Sequence, residues 1–197
     1  MGTRNLTAVY VDGEYKIAQY GQWDGYPEGQ GLTALGFARD GMNEKLFREM
    51  LNEVRFLSAE EANAIYHKYG GSDHDIELSK YDVLKRENPG LSRDLGAKIL
   101  YEVQAGRAKY LYNNIVFAAD GLWCEWAYVI DLDKRTFEVF SGCSQAKLKP
   151  GERFYEFHDK EDGDYGGIHL VNAWNLDALP SDQDFLWAFG INRAEEI

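Results

Sequence analysis

The sequence predicts an α+β domain in which helices pack over a largely antiparallel sheet of about six strands. Three observations lead there. Residues 4–20 alternate apolar and polar side chains about an Asp12-Gly13 turn, the pattern of a β-hairpin. Residues 30–106 carry apolar side chains at three- and four-residue spacing, punctuated by capping residues and glycines. From residue 112 onward the period returns to two, in runs rich in aromatic and β-branched residues. No linker or repeat interrupts the order of hairpin, helices, hairpin-rich sheet and final helix, so residues 1–197 read as one domain.

Residues 4–12 make the first strand, with Leu6, Ala8 and Tyr10 alternating against Thr7, Val9 and Val11. Asp12-Gly13 tolerates the positive φ of a two-residue turn, and residues 15–20 return. Leu32, Leu35 and Phe37 suit a short helix from Gln30 that Gly41 ends, although Gly36 weakens it. Asn43 caps a second helix carrying Leu46, Phe47, Met50, Leu51 and Val54. Ser58 and Glu61 form a capping box for a third, which runs towards Tyr69 and stops at Gly70-Gly71. Residues 78–87 make a fourth, closed by Asn88-Pro89-Gly90. Ser92 caps a fifth through Leu95, Ile99, Leu100 and Val103 to Gly106. Strands follow at 112–118, 122–131, 136–140, 153–158 and 168–174, the second and third joined by Asp133-Lys134-Arg135. Residues 160–167 are an acidic, glycine-rich loop, and Pro180 or Ser181 opens a last helix to Phe189.

With 45% hydrophobic and 14% aromatic residues among 197, the chain has enough apolar material for a sizeable core and does not read as disordered. Its net charge of −12 disfavours nucleic acid, which needs a basic face, and equally an anionic membrane. An acidic surface serves solubility or meets a basic protein partner. Cys124 and Cys143 are too few for a disulfide scaffold and lack zinc spacing. A polar start and the lack of a long apolar run give the expectation of a soluble, cytoplasmic protein with free thiols. No metal and no cofactor is expected.

Residues 18–31 gather three aromatics, three glutamines and four glycines with little core-forming material. The stretch follows the second strand, so it sits at a strand end. Its candidate ligand-binding residues are Gln19, Tyr20, Gln22, Trp23, Asp24, Tyr26 and Gln30. Tyr20, Trp23 and Tyr26 would supply an aromatic wall, and the amides and Asp24 the polar edges. The same residues also suit a structural corner. There Asp24-Gly25 turns the chain, Pro27 stiffens it, Tyr20 and Trp23 plug the core, and the glutamines bond backbone. Gly29-Gln30-Gly31 at a helix start offers an anion-holding alternative, which Glu28 opposes.

The block Tyr20-Gly21-Gln22-Trp23-Asp24-Gly25-Tyr26-Pro27, with Gly29-Gln30-Gly31 behind it, resembles the signature of an uncharacterised family from phages, bacteria and fungi. The run from Cys124-Glu125-Trp126 to Asp133, followed by Phe137-Glu138-Val139-Phe140 and Gly142, is similar to that family's second motif. The resemblance implies a family and no settled activity. A fainter likeness is to N-terminal-nucleophile hydrolases, which open with a short strand bearing a catalytic Thr, Ser or Cys, a tight turn and a second strand. Gly2-Thr3 precedes such a hairpin here. That likeness implies Thr3 as nucleophile after cleavage behind Gly2, with its own α-amine as base.

Other candidates carry chemistry more thinly. Glu125 with Asp24 would do acid–base work if Glu125 lay among aromatics that raise its pKa. Cys124, read within a strand, would need His169 or His158 in reach and a lowered thiol pKa; a buried structural cysteine is the plainer role. Asp73-His74-Asp75, and His158-Asp159 with Glu161, Asp162 and Asp164, bear metal-friendly side chains. The second cluster departs from calcium-loop spacing, and both suit solvated loops.

Two functions follow as expectations. One is a small-ligand or peptide-binding domain, with hydrolysis as a variant, whose pocket sets residues 19–31 against the strand at 123–128. Trp23, Tyr26 and Glu125 would line that pocket. The other is a non-enzymatic acidic interaction protein, such as a phage-borne inhibitor of a basic host protein, with a convex acidic face.

Overall fold

A computed structural model describes residues 2–71, 76–157 and 166–192, with the backbone alone at Leu78. The metal-friendly runs at 73–75 and 158–164 lie outside the described residues.

Asn5–Val11 (β1) and Glu14–Gly21 (β2) form the opening antiparallel hairpin. Asp12 and Gly13 take φ of 53° and 81°, the left-handed values that a tight hairpin turn requires. The chain then becomes helical from Pro27 to Gly41. Leu32–Gly36 (α1) is its α-helical middle, and wider π turns occupy Pro27–Gly31 and Phe37–Gly41. The run starts three residues before the Gln30 expected from the apolar spacing. Pro27 explains this, since its fixed φ suits a first helical turn and its missing N–H needs no partner.

Glu44–Leu51 (α2) is capped as expected, with the Leu46 amide donating to Asn43 Oδ1 at 3.1 Å. Arg55–Phe56 (β3) leads to Ala59–Lys68 (α3), which opens on the Ser58/Glu61 capping box with both reciprocal bonds made. Leu78–Glu87 (α4) follows. The fifth helix is shorter than its apolar pattern. Ser92 spends its hydroxyl on a local turn to the Asp94 amide, so Ile99–Gln104 (α5) starts only after a 3₁₀ turn at Gly96–Lys98. Tyr110–Leu111 (β4) pairs in parallel with β3 in a small second sheet.

Trp126–Asp131 (β5), Thr136–Ser141 (β6) and His169–Asn175 (β7) complete the main sheet, and Asp182–Trp187 (α6) ends the described fold under a Ser181 cap. The order across the sheet is β2-β1-β5-β6-β7. Three of the four neighbouring pairs are antiparallel, and β1 with β5 is the parallel one. The fold is therefore α+β with a mostly antiparallel sheet.

Three expected strands need correction. Residues 115–119 form a 3₁₀ turn, because the Asn113 side chain accepts the Ile115 amide in place of a ladder partner. The strand at 122–131 begins only at Trp126. Asp120 takes up the amides of Trp123 and Cys124 in a turn, so Cys124 lies before the strand rather than in it. Of residues 153–158, the described part coils into a 3₁₀ turn at Tyr155–Phe157. Arg153 instead reaches the sheet, donating to Glu138 at 2.6 and 2.9 Å and to Asp131, with all three side chains nearly shut off from solvent.

Both sheet faces are covered. Val9, Ile17, Tyr128, Ile130, Phe137 and Val139 meet Leu35, Phe37, Phe47, Ile99 and Phe185 from the helices. On the opposite face Leu6, Ala8, Ala127, Val129 and Phe140 meet Ile115, Phe154 and Ile168. Each Val, Leu, Ile or Phe among these, fully buried, contributes about 1.5–3 kcal/mol. Among the described residues no helix is long and apolar enough to cross a membrane.

Candidate functional site

The chain leaving β2 is clamped from beneath. The Gln22 amide donates to Arg93 O at 2.9 Å, the Gly25 amide to Thr3 O at 2.9 Å, and the Gln30 amide to Asp24 O at 2.8 Å. Asn5 Nδ2 reaches the carbonyls of Gly21 and Trp23, at 3.2 and 3.4 Å. Gln30 spans the loop, donating to Trp23 O at 3.2 Å and accepting the Ala97 amide at 2.8 Å. Gly25 has no room for a side chain, since a Cβ there would lie 2.7 Å from Thr3 O. The Tyr128 hydroxyl donates to Gly25 O at 2.7 Å, and its ring lies against Gly31. The stretches at 20–31 and 124–133 thus meet here. Burial pushes the Tyr128 phenol well above its ordinary pKa.

The loop splits the expected ligand-binding set in three. Trp23 and Tyr26 point outward, 51% and 39% exposed. Trp23 Nε1 donates to Asp94 at 3.3 Å. The Tyr26 hydroxyl donates to Asp24 at 3.1 Å, and that bond raises the phenol's pKa. Gln30 and the Gln22 backbone serve the clamp, while Gln22 Oε1 accepts the Tyr20 hydroxyl at 2.6 Å. Gln19 and Tyr20 face a concavity of about 170 Å³, shared with Tyr66, Arg93, Tyr112 and Asn114. Tyr66 and Tyr112 stack with ring centroids 6.4 Å apart. Partial burial raises the Tyr20 phenol, against the lowering fields of Arg4 and Arg93.

Residues far along the chain complete the site; Trp123 opens the stretch at 123–128 expected to face the loop, whereas no local signal marks Arg93. Arg93 comes beside Gln22 through a single backbone bond. Trp123, 50% exposed, lies under the Arg4 guanidinium at 4.3 Å. Trp23 packs on Gly2, so residues 2–4 run between two half-exposed indoles.

Glu125 and Asp24 have separate partners: Glu125 accepts the Arg4 amide at 3.2 Å, and Asp24 holds Tyr26. Thr3 contributes its carbonyl to the Gly25 bond. Cys124 is buried, bonds Trp126 O weakly at 3.7 Å, and has its thiol pKa pushed well up by burial, the reverse of an activated nucleophile. His169 sits between Glu152 and Ala146 O, at 3.3 and 2.8 Å. The amides of Gly29, Gln30 and Gly31 are spent on Tyr26 O and Asp24 O, which removes the donors an anion would use. Among the described residues no three His, Cys, Asp or Glu side chains gather as a metal site would require.

A larger cleft of about 390 Å³ lies at the other end of β1, lined in part by Tyr10, Tyr15, Glu152 and Arg153. Among the described residues its deeply held cation is Arg153, already engaged by Asp131 and Glu138. No protein-family model, no curated protein and no solved structure matches the chain.

Proposed function

We propose that the chain is a small-ligand-binding domain whose site is the concavity at the root of the loop at 19–31. The observation that carries the reading is the convergence of Tyr20, Tyr66 and Tyr112 with Asn114 and Arg93 around about 170 Å³. Apolar ring faces with a few placed polar groups are what small-molecule sites require. The volume lies below the ~300 Å³ at which drug-sized pockets begin, so the ligand is of amino-acid or single-ring size. Arg93 favours a ligand bearing an anionic or strongly accepting group.

Thermal-shift screening of amino-acid derivatives, small carboxylates, sugars and nucleotides tests this. A ligand at a hundred times its Kd adds about 2.7 kcal/mol, and each kcal/mol moves the midpoint of a chain this long by ~2–4 °C. The shift should vanish in Arg93→Gln and persist in Trp23→Ala. Hits that survive Arg93→Gln, or a library without hits, would remove the reading.

The half-exposed indoles of Trp23 and Trp123 favour a second reading, a protein partner docked on the outer face of the loop. Exposed tryptophans are characteristic anchors of interfaces, and the charge of −12 favours a basic partner. Pull-down at low and high salt with wild type and Trp23→Ala separates the readings. A salt-sensitive partner lost in Trp23→Ala but kept in Arg93→Gln belongs to the outer face.

A further inference from the structure

Beneath the loop, three polar side chains sit on one face of the opening hairpin. Asn5 and Thr7 are two residues apart on β1, so they point the same way. Thr7 stands directly opposite Gln19, and Asn5 opposite Gly21. The Asn5 amide fills the room left by the missing Gly21 side chain, where a Cβ would lie 2.6–2.7 Å from its Nδ2 and Oδ1. That brings it beside Gln19, the next residue on the same face of β2. All three side chains are buried.

The two amide donors are accounted for, and the accounting fixes the amide orientations. Gln19 Nε2 donates to Ser92 O at 2.8 Å and Tyr20 O at 3.2 Å, and Asn5 Nδ2 to the carbonyls of Gly21 and Trp23. Flipping either amide would set oxygen against carbonyl oxygen. Three oxygens are left over: Asn5 Oδ1, Gln19 Oε1 and Thr7 Oγ1 have no protein partner. Leaving buried acceptors unmatched is costly, and three on one patch call for one common cause.

We propose that Asn5, Thr7 and Gln19 form a binding site for a single internal water. The donor and acceptor count closes. Water has two O–H donors, one for each amide oxygen, and accepts the Thr7 hydroxyl. Three bonds is also the usual number for a buried structural water. A monovalent cation fits less well, because none of the three side chains carries a compensating charge. The water ties β1 to β2 where Asn5 holds the Trp23 carbonyl, and so stiffens the root of the binding loop. The site stands whether or not the neighbouring concavity takes a ligand.

Thr7→Val keeps the shape and removes the hydroxyl, and the two alternatives predict opposite signs. With the water in place, the substitution breaks a satisfied network and lowers the melting midpoint by ~2–4 °C, the shift that one hydrogen bond's loss produces in a chain of this size. Thr7→Ser, which keeps the hydroxyl, should retain most of the network. If the hydroxyl has no partner, Thr7→Val leaves the midpoint unchanged or raises it, and the proposal falls. A crystal structure of the wild-type protein should show one ordered peak within hydrogen-bonding reach of all three oxygens. A dry site, or protein groups filling it, would overturn the proposal. Replacing sodium chloride by potassium, ammonium or choline chloride at equal ionic strength should leave the midpoint unchanged. A dependence on the cation would assign the site to an ion instead of water.

Discussion

Tyr128→Phe is the sharpest test of how the loop is held. The side chain is fully buried, and its hydroxyl donates to Gly25 O at 2.7 Å. Gly25 is itself buried, with its Cα pressed against the Thr3 and Arg4 carbonyls. Removing the oxygen therefore leaves a carbonyl unmatched, at about 1–3 kcal/mol. At ~2–4 °C per kcal/mol, the melting midpoint should fall by roughly 2–12 °C. The loss should be local as well. Amide hydrogen exchange across residues 21–31 should quicken, above all at Gly25 and Gln30, whose amides close the clamp on Thr3 and Asp24. Tyr20→Phe is the control. Its hydroxyl bonds Gln22 Oε1 at the partly buried rim, where solvent can take over, so the midpoint should hardly move. Calorimetry with exchange mass spectrometry reads both. A midpoint shift under 1 °C in Tyr128→Phe, or a shift without faster exchange in the loop, would show that this bond does not hold the two motifs together.

Arg153→Met should cost about 3–5 kcal/mol in urea unfolding, because it leaves the buried carboxylates of Asp131 and Glu138 facing each other without a counter-charge. Adding Glu138→Gln should recover part of that loss, and strict additivity of the two would deny the coupling. Thiol labelling of the folded protein should modify Cys143, which is exposed, and spare Cys124 until the chain unfolds; equal rates would refute the burial. Because burial raises the Cys124 and Tyr128 pKa values in the folded state, their ionisation favours the unfolded chain. Stability should be intact below the unfolded values and fall as pH climbs past them, and a flat alkaline limb would contradict this. Asp133 behaves oppositely. The amides of Gly13 and Asp12 hold its carboxyl below the usual value, so its contribution is present above the unfolded pKa and is lost as pH falls through the folded one. Asp133→Asn should flatten that part of the acid limb, and an unchanged limb would count against the clasp.

The sequence was legible where local chemistry decides structure. The Asp12-Gly13 turn, the Asn43 cap and the Ser58/Glu61 capping box depend on neighbours within a few residues, and each forms as its residues require. It misled where a side chain substitutes for the ladder. Residues 112–118 look β-like by composition, yet Asn113 satisfies the Ile115 amide and turns the chain. Asp120 does the same ahead of Trp126. The parallel pairing of β1 with β5 joins residues more than a hundred positions apart, and alternation along either strand carries no trace of the other. The alternation at 153–158 gives Arg153 only a position in a strand, whereas its partners lie on β5 and β6.

The candidate site divides along the same line, and the division says what its glycines are for. Gly21 leaves room for Asn5, Gly25 for the close approach of Thr3, and Gly31 for the Tyr128 ring. Each absence of a side chain admits a group that pins the loop, so the glycines of the first motif and Tyr128 of the second are parts of one scaffold. A recognition loop is useful only if its outward groups are held still by the framework beneath. The residues left after the clamp is subtracted are Trp23 and Tyr26 on the outside, and Tyr20 at the concavity. Arg93 and Tyr112 stand beside Tyr20 only because the fold brings them there. Substitutions in the clamp should therefore move stability and recognition together. Substitutions at Arg93 or Trp23 should move recognition alone, each for its own face, and that separation is what distinguishes a built site from a well-packed corner.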